Sequence, residues 1–343
     1  MVASTSPLEV SPSPTRISLV PEAMLVYTDS IDYARAVLGR ATGHWSTPAS
    51  ELSDGLRSVM ESAYGAREVR ESTVHSGSHW QYLFLVEVAE NSHYDLLVEL
   101  SRAGARIPDR VLCLAGAGER FHGFKGRAWS APKGNTYLAA CLRPTRPVEL
   151  PATSFTVLAA VSVVDAIDTM PGLENSAGIK WVNDILIDDA KVGGVLAYTQ
   201  SAGGAIGAAV LGIGVNVETE PDIEPTPFVP KASALRAVGT SPAACTQRSY
   251  FSALTAALDT NYSRLIAGGY DALLKRYRNR SLVIGHQVSL CKEEPGSEGE
   301  VMARGRVTGI GYGLELMIEG YDRPFTKGRL ILDTGEEYAS RDG

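Results

Sequence analysis

Residues 178–200 read GIKWVNDILIDDAKVGGVLAYTQ, and after SAGGAIGAA residues 210–217 read VLGIGVNV. Both runs are rich in Ile, Leu and Val broken by polar and glycine positions, the pattern of neighbouring strands in a half-buried sheet, with SAGGAIG as the link between them. On these strands lie Lys180, the pair Asn183 and Asp184, and the glycines Gly193, Gly194, Gly212 and Gly214. Glycine inside a strand leaves bare backbone where a flat group can approach. The stretch predicts a sheet with a ligand lying against it.

Composition sets the scale around it. With 343 residues and 44% hydrophobic content the chain can bury a large core in two or three domains. A net charge of -7 opposes general nucleic-acid binding, which needs a Lys/Arg excess on one face. No apolar run reaches the roughly 18 residues that span a bilayer. Cys113, Cys141, Cys245 and Cys291 are far apart and form no CxxC pair, so reduced, buried thiols are expected. The start, MVASTSPLEVSPSPTR, lacks a secretory apolar core and carries Glu9; the expected location is the cytoplasm.

Along the chain, residues 1–16 are a Ser/Pro/Thr-rich tail expected to be disordered. Residues 17–80 form an α/β extension, with an apolar run at Met24 to Tyr27 and helical spacing in SIDYARAVL and LSDGLRSVMESAY, the second capped by Ser50 or Ser53. WQYLFLVEVAE then reads as a strand and NSHYDLLVELSRAGA as a helix closed near Gly104. The polar head of that helix is either a plain N-cap or a donor of hydroxyl and N–H groups to a ligand.

RVLCLA, residues 110–115, is a short buried strand that runs into GAGERFHGFKGRAWSAPKGNTYLA. Between residues 119 and 133 stand Arg120, Lys125, Arg127 and Lys133 against the single acid Glu119, a net of +3 in an acidic protein. Gly118, Gly123 and Gly126 let this loop fold closely over something, and Trp129 adds a flat face. Such a loop suits an anionic nucleotide or acyl phosphate, or else is a solvated basic loop. No GxxxxGK[ST] is present, which excludes a P-loop. TSFTVLAAVSVVDAIDTM is apolar on most faces and predicts a buried helix. Residues 232–280 predict two or three amphipathic helices, and from Leu282 four or five short strands predict a small all-β barrel.

In this order the pieces resemble the biotin–protein ligases of the biotin/lipoate ligase family, over about residues 82 to 335. KWVND at 180–184, KVGGVL at 191–196, GIGVNV at 212–217 and GRAWSAPKGNTYLA at 126–139 carry the resemblance. It implies an α+β fold: a mixed β-sheet catalytic domain flanked by helices, of the class II aminoacyl-tRNA-synthetase and biotin-ligase kind, at 81–280, with a small SH3-like barrel at 281–343. It also implies a reaction in two steps, from ATP, Mg²⁺ and biotin to biotinyl-5'-AMP, and then transfer to one lysine of a biotin carboxyl-carrier domain.

The resemblance assigns Lys180 to bridge the biotin carboxylate and the α-phosphate, and Arg127 to hold phosphate. Trp129 stacks on adenine, Asn216 reads its edge, and Gly212 and Gly214 keep that strand bare. Lys125 and Gly126 belong to the nucleotide loop. Ser92, His93, Gly123, Gly193 and Gly194 line the biotin pocket, while Asn183 and Asp184 fix the strand and Lys180. No side-chain metal site is implied.

Two departures from the family pattern stand out. FHGFKGR at 121–127 replaces the family's GRGRxGR, so Phe121 stands at its first glycine and Gly118 at its usual glutamine. Asn91-Ser92-His93 replaces Ser-Thr-Asn at the head of the first helix, with a rival echo at Ser30 and Asp32 that lies too far from the loop. Regulatory family members begin with a helix-turn-helix, but SELSDGLRSVMESAYGAREVRES is close to charge-balanced; no DNA binding is expected. A homodimer is compatible with the sequence. A lipoate– or octanoate–protein ligase on the same fold, and a non-catalytic biotin- or adenylate-binding protein, are the competing readings.

Overall fold

The computed structural model describes residues 23–39, 42–49, 51–75, 77–202, 205–293 and 299–332. The tail expected at 1–16 lies outside them. Nine strands form one mixed sheet: β1 Met24–Thr28, β2 Arg70–Val74, β3 Tyr82–Asn91, β4 Val111–Arg120, β5 Thr136–Leu142, β6 Gly178–Lys180, β7 Asp184–Ile187, β8 Ala190–Ala202 and β9 Ala205–Val215. Their order across the sheet is β2-β1-β3-β4-β5-β9-β8-β7-β6. The β1–β3 and β3–β4 pairs are parallel, and every other neighbour is antiparallel.

The segment 17–80, read from sequence as an extension, thus contributes β1 and β2 to the same sheet as the KWVND strands. The reason is hydrogen bonding: β3 needs a partner on its outer edge, and β1 supplies it in register, Leu25 opposite Tyr82 through Thr28 opposite Leu85. Leu83, Phe84, Leu85 and Val86 of β3 are all fully buried, because helices cover both faces of this parallel part.

Those helices are α1 Ile31–Leu38, α2 Asp54–Tyr64, α3 His93–Arg102, α4 Pro151–Asp168, α5 Leu235–Val238, α6 Gln247–Ile266 and α7 Tyr270–Asn279. Ser53 caps α2, its side chain accepting from Leu56 N–H, and Thr246 with Ser249 forms a capping box on α6. Helix α4 is apolar all round because the sheet, α6 and α7 enclose it. By length and composition α4 could cross a membrane, contrary to the expectation that no run is long enough, yet two-thirds of it is buried inside the fold.

Four strands make a second, antiparallel sheet: β10 Gln287–Cys291, β11 Val301–Ile310, β12 Leu316–Ile318 and β13 Arg329–Leu332, ordered β12-β11-β10-β13. It is consistent with the small SH3-like barrel. The Trp181 indole N–H donates to the Leu314 carbonyl at 2.7 Å, tying this unit to the KWVND strand. All four cysteines are buried.

Candidate active site

The alternation of side chains along strands decides which residues meet. Register places Tyr137, Gly214, Gly194 and Asp184 in one row across β5, β9, β8 and β7, with Lys180 ending the row on β6. Their neighbours Leu138, Ile213, Val195 and Ile185 point to the opposite face and into the core against α4. The row is bare in the middle because two of its members are glycines. The Trp129 indole lies there: a Cβ on Gly214 would come within 2.8 Å of the ring, and one on Gly194 within 3.3 Å. In the next row, Gly212 lies under Tyr94, where a Cβ would come within 2.8 Å of the ring.

Over these rows opens a cavity of about 310 Å³. The expected residues Ser92, His93, Gly123, Arg127, Trp129, Asn183, Asp184, Gly194, Gly212, Gly214 and Asn216 all line it. Ser92 is both the N-cap of α3, accepting from Tyr94 N–H at 3.3 Å, and part of the wall. His93 is almost fully enclosed, and burial pushes its imidazole down to about 4, which keeps it uncharged near neutral pH. The rival echo at Ser30 and Asp32 lines a separate, shallow depression beside α1.

Four expected residues do not line the cavity: Lys180, Lys125, Gly126 and Gly193. The Lys180 ammonium donates to the Phe228 carbonyl at 2.7 Å and is 5% exposed. Burial lowers its pKa to about 8, against the pull of Asp184. Gly193 faces the other way, where a Cβ would meet the Gly214 carbonyl and the Val215 side chain at 3.1 Å. Lys125 (φ 57) and Gly126 (φ 73) form the left-handed turn at the loop tip.

The lysine on the cavity wall is Lys191, a residue of KVGGVL not singled out in the sequence. Its Nζ lies 2.6 Å from Asp184 Oδ1 and 5.4 Å from the centre of the Trp129 ring. Simple alternation puts residues 191 and 194 on opposite faces. A bulge between Ile185 and Leu186 of β7, which pair with Gly193 and Lys191, cancels that and turns Lys191 to the cavity side. Asn183 holds the same corner, its amide donating to the Val195 carbonyl at 2.7 Å. Asn216 donates its amide to the Ser233 carbonyl at 3.0 Å, which leaves its side-chain oxygen without a partner.

Three further wall residues escaped sequence reasoning: Tyr94, Phe121 and Arg329. Arg329 comes from β13 of the small sheet, with its guanidinium 4.0 Å from the centre of the Phe228 ring, and no local motif marks it. Phe121 explains both loop departures at once. Its ring lies over Gly118, so near that a Cβ there would overlap it, and it packs edge-on against Tyr137 at 5.5 Å. Side-chain volume absent at 118 has been supplied from 121. The strand β4 also runs on to Arg120, so the loop begins at Phe121, later than RVLCLA suggested.

Residues 115–216 match the model of the biotin/lipoate A/B protein ligase family. The bifunctional ligase/repressor BirA of Bacillus subtilis is 29% identical over 160 residues, 46% of either chain. A biotin--[acetyl-CoA-carboxylase] ligase of Mycobacterium tuberculosis is 28% identical over 275 residues, 78% of this chain and 90% of that one. This chain therefore spans about half the length of the first relative and most of the second. Among solved structures, the biotin protein ligase from Aquifex aeolicus in complex with biotin and ATP aligns with a TM-score of 0.55 at 18% identity, covering 73% of this chain and 97% of that one. The two share a fold: the helix-flanked mixed sheet with the small C-terminal sheet.

Proposed function

We propose that this chain is an ATP-dependent biotin–protein ligase, which joins biotin to AMP and then passes the acyl group to a lysine of a biotin carboxyl-carrier domain. The observation that carries the reading is Lys191 on the cavity wall, held by Asp184 beside Trp129 and the Gly194–Gly214 row. The chemical obstacle is electrostatic. A carboxylate and an α-phosphate brought to about 4 Å repel by roughly 4 kcal/mol at an effective dielectric near 20.

Lys191 answers that repulsion. Its ammonium bridges the two anions while the carboxylate oxygen attacks phosphorus and pyrophosphate leaves, and it then polarises the acyl carbonyl for the acceptor amine, with AMP as leaving group. Asp184 orients Lys191, not Lys180 as the sequence suggested. Lys180 braces the Phe228 segment from the end of the same row. Arg127 and Arg329 face the phosphates from two sides. The free oxygen of Asn216 accepts from the adenine amino group, and neutral His93 with Ser92 meets the uncharged head of the acid.

No protein nucleophile is required, because positioning and fixed charge do the work. Among the described residues no group of three His, Cys, Asp or Glu gathers to cage a metal. Mg²⁺ carried on the nucleotide would supply further neutralisation of phosphate charge there. The reading keeps the cytoplasmic placement and the expectation of no DNA binding.

A lipoate– or octanoate–protein ligase is the second reading, favoured by the apolar wall of Phe121 and Tyr137. Pyrophosphate release from ATP with biotin, lipoate or octanoate separates them, with the mass of a carrier domain as second readout. Release with biotin and a biotin-sized mass gain supports the proposal. Release with lipoate or octanoate alone sinks it, and binding of biotin or adenylate with no labelling points to the non-catalytic alternative.

A further inference from the structure

Two of the loop cations, Lys125 and Arg127, are already in use. Lys125 Nζ lies 3.2 Å from Glu293 Oε2, and Arg127 Nη1 lies 3.4 Å from Glu293 Oε1, so one carboxylate holds both. Glu293 follows β10 in the small sheet, 166 residues beyond Arg127. Its side chain is only 10% exposed, whereas those of Lys125 and Arg127 are 46% and 41% exposed; the acid is the enclosed partner. Arg329, on the strand paired with β10, adds further positive charge that acts on both Arg127 and Glu293. The left-handed turn at Lys125 and Gly126 is what presents both cations to one acceptor. On the other flank of the loop His122 Nε2 lies 2.6 Å from Asp95 Oδ2 of α3. The loop is thus clasped at its basic tip by the small sheet and at its base by the catalytic domain.

We propose that Glu293 is an internal stand-in for nucleotide phosphate. In the ligand-free chain it neutralises Lys125 and Arg127 and pins the loop to the small sheet. A polyphosphate, carrying more negative charge and more acceptor oxygens, displaces it and takes over both cations. Nucleotide affinity is then set by competition with a residue outside the catalytic domain, and loop release is coupled to phosphate capture. Glu293 acts through the cations and is a positioning residue, not a catalytic one. The inference rests on the reading that phosphate lies on Arg127.

The test is calorimetric titration of the full chain with inorganic tripolyphosphate, for the wild type, Glu293→Gln and Glu293→Asp. Two partly exposed ion pairs are worth little each, so Glu293→Gln is expected to tighten tripolyphosphate binding roughly three- to tenfold. Glu293→Asp, which keeps the charge, returns towards the wild type. Amide exchange of residues 121–127 in the ligand-free Glu293→Gln chain is expected to speed up by a similar factor. Unchanged or weaker tripolyphosphate binding in Glu293→Gln overturns the inference, and so does exchange at the wild-type rate or no binding by either chain. Tightened binding in a chain that releases no pyrophosphate with any acid sinks the ligase reading and leaves this inference standing.

Discussion

Lys191 and Asp184 lie 2.6 Å apart, on adjacent strands, beside the bare backbone of Gly194 and Gly214 on which the Trp129 indole rests. One fixed cation whose removal uncovers two repelling anions is worth about a hundredfold or more in rate. Lys191→Ala is expected to lower biotin-dependent pyrophosphate release by at least that factor, with far-UV circular dichroism unchanged. Lys180→Ala is expected to cost less in rate, since its ammonium is occupied by Phe228. A Lys191→Ala rate within a few-fold of the wild type would show the assignment to be wrong.

Gly214→Ala probes the bare row. The new methyl group meets the Trp129 ring at 2.8 Å, closer than van der Waals contact allows, so the indole must move off its seat. The expected result is a shift in tryptophan emission together with a rise in the KM for ATP of about tenfold at little change in Tm. Emission and KM both at wild-type values would remove Trp129 from the nucleotide site.

Asn135 is a structural keystone inside GRAWSAPKGNTYLA. It is fully buried; its side-chain oxygen accepts from the backbone N–H groups of Val217, Glu218 and Thr219 at 2.8, 3.1 and 3.0 Å, and its amide donates to the Thr219 carbonyl at 2.8 Å. Asn135→Ala orphans these groups at once and is expected to cost about 3 kcal/mol in urea unfolding. A loss below roughly 1 kcal/mol would mean that water replaces the side chain.

Phe121 and Gly118 share one space, which predicts a rescue. Gly118→Ala alone forces the Phe121 ring out and is expected to destabilise by about 1–3 kcal/mol. Adding Phe121→Ala is expected to recover most of the loss, measured as Tm. Additive destabilisation in the double variant would contradict the shared-space account.

Lys180 makes stability depend on pH in a defined window. Its folded pKa of about 8 lies below the ordinary lysine value of 10.5, so between these limits the unfolded chain binds more protons and folding strengthens as pH rises. The stability of the wild type relative to Lys180→Met is expected to increase by up to about 3 kcal/mol from pH 7.5 to 10.5. A flat difference across that window would mean that the buried ammonium is better solvated than its surroundings imply.

Much of the site was legible because its chemistry is local. The glycines of GIGVNV, the loop cations, Trp129 and the cap Ser92 each announce themselves within a few residues, since a bare strand, a left-handed turn or a helix N-cap is a short-range requirement. Lys180 and Lys191 show the limit. Both lie in quoted motifs, and choosing between them depends on a bulge, which inverts the face of a strand without any mark in the apolar pattern.

The sequence by itself determined the strand pair, the buried helix α4, the basic loop and the terminal strands, because periodicity and turn residues respond to burial along one segment. Only the tertiary structure decided that β1 extends the nine-stranded sheet, that Phe121 fills the space over Gly118, and that Arg329 and Glu293 reach the loop from the small sheet. These depend on strand register and on contacts between distant residues, such as Arg127 and Glu293, 166 positions apart, and no local pattern records them.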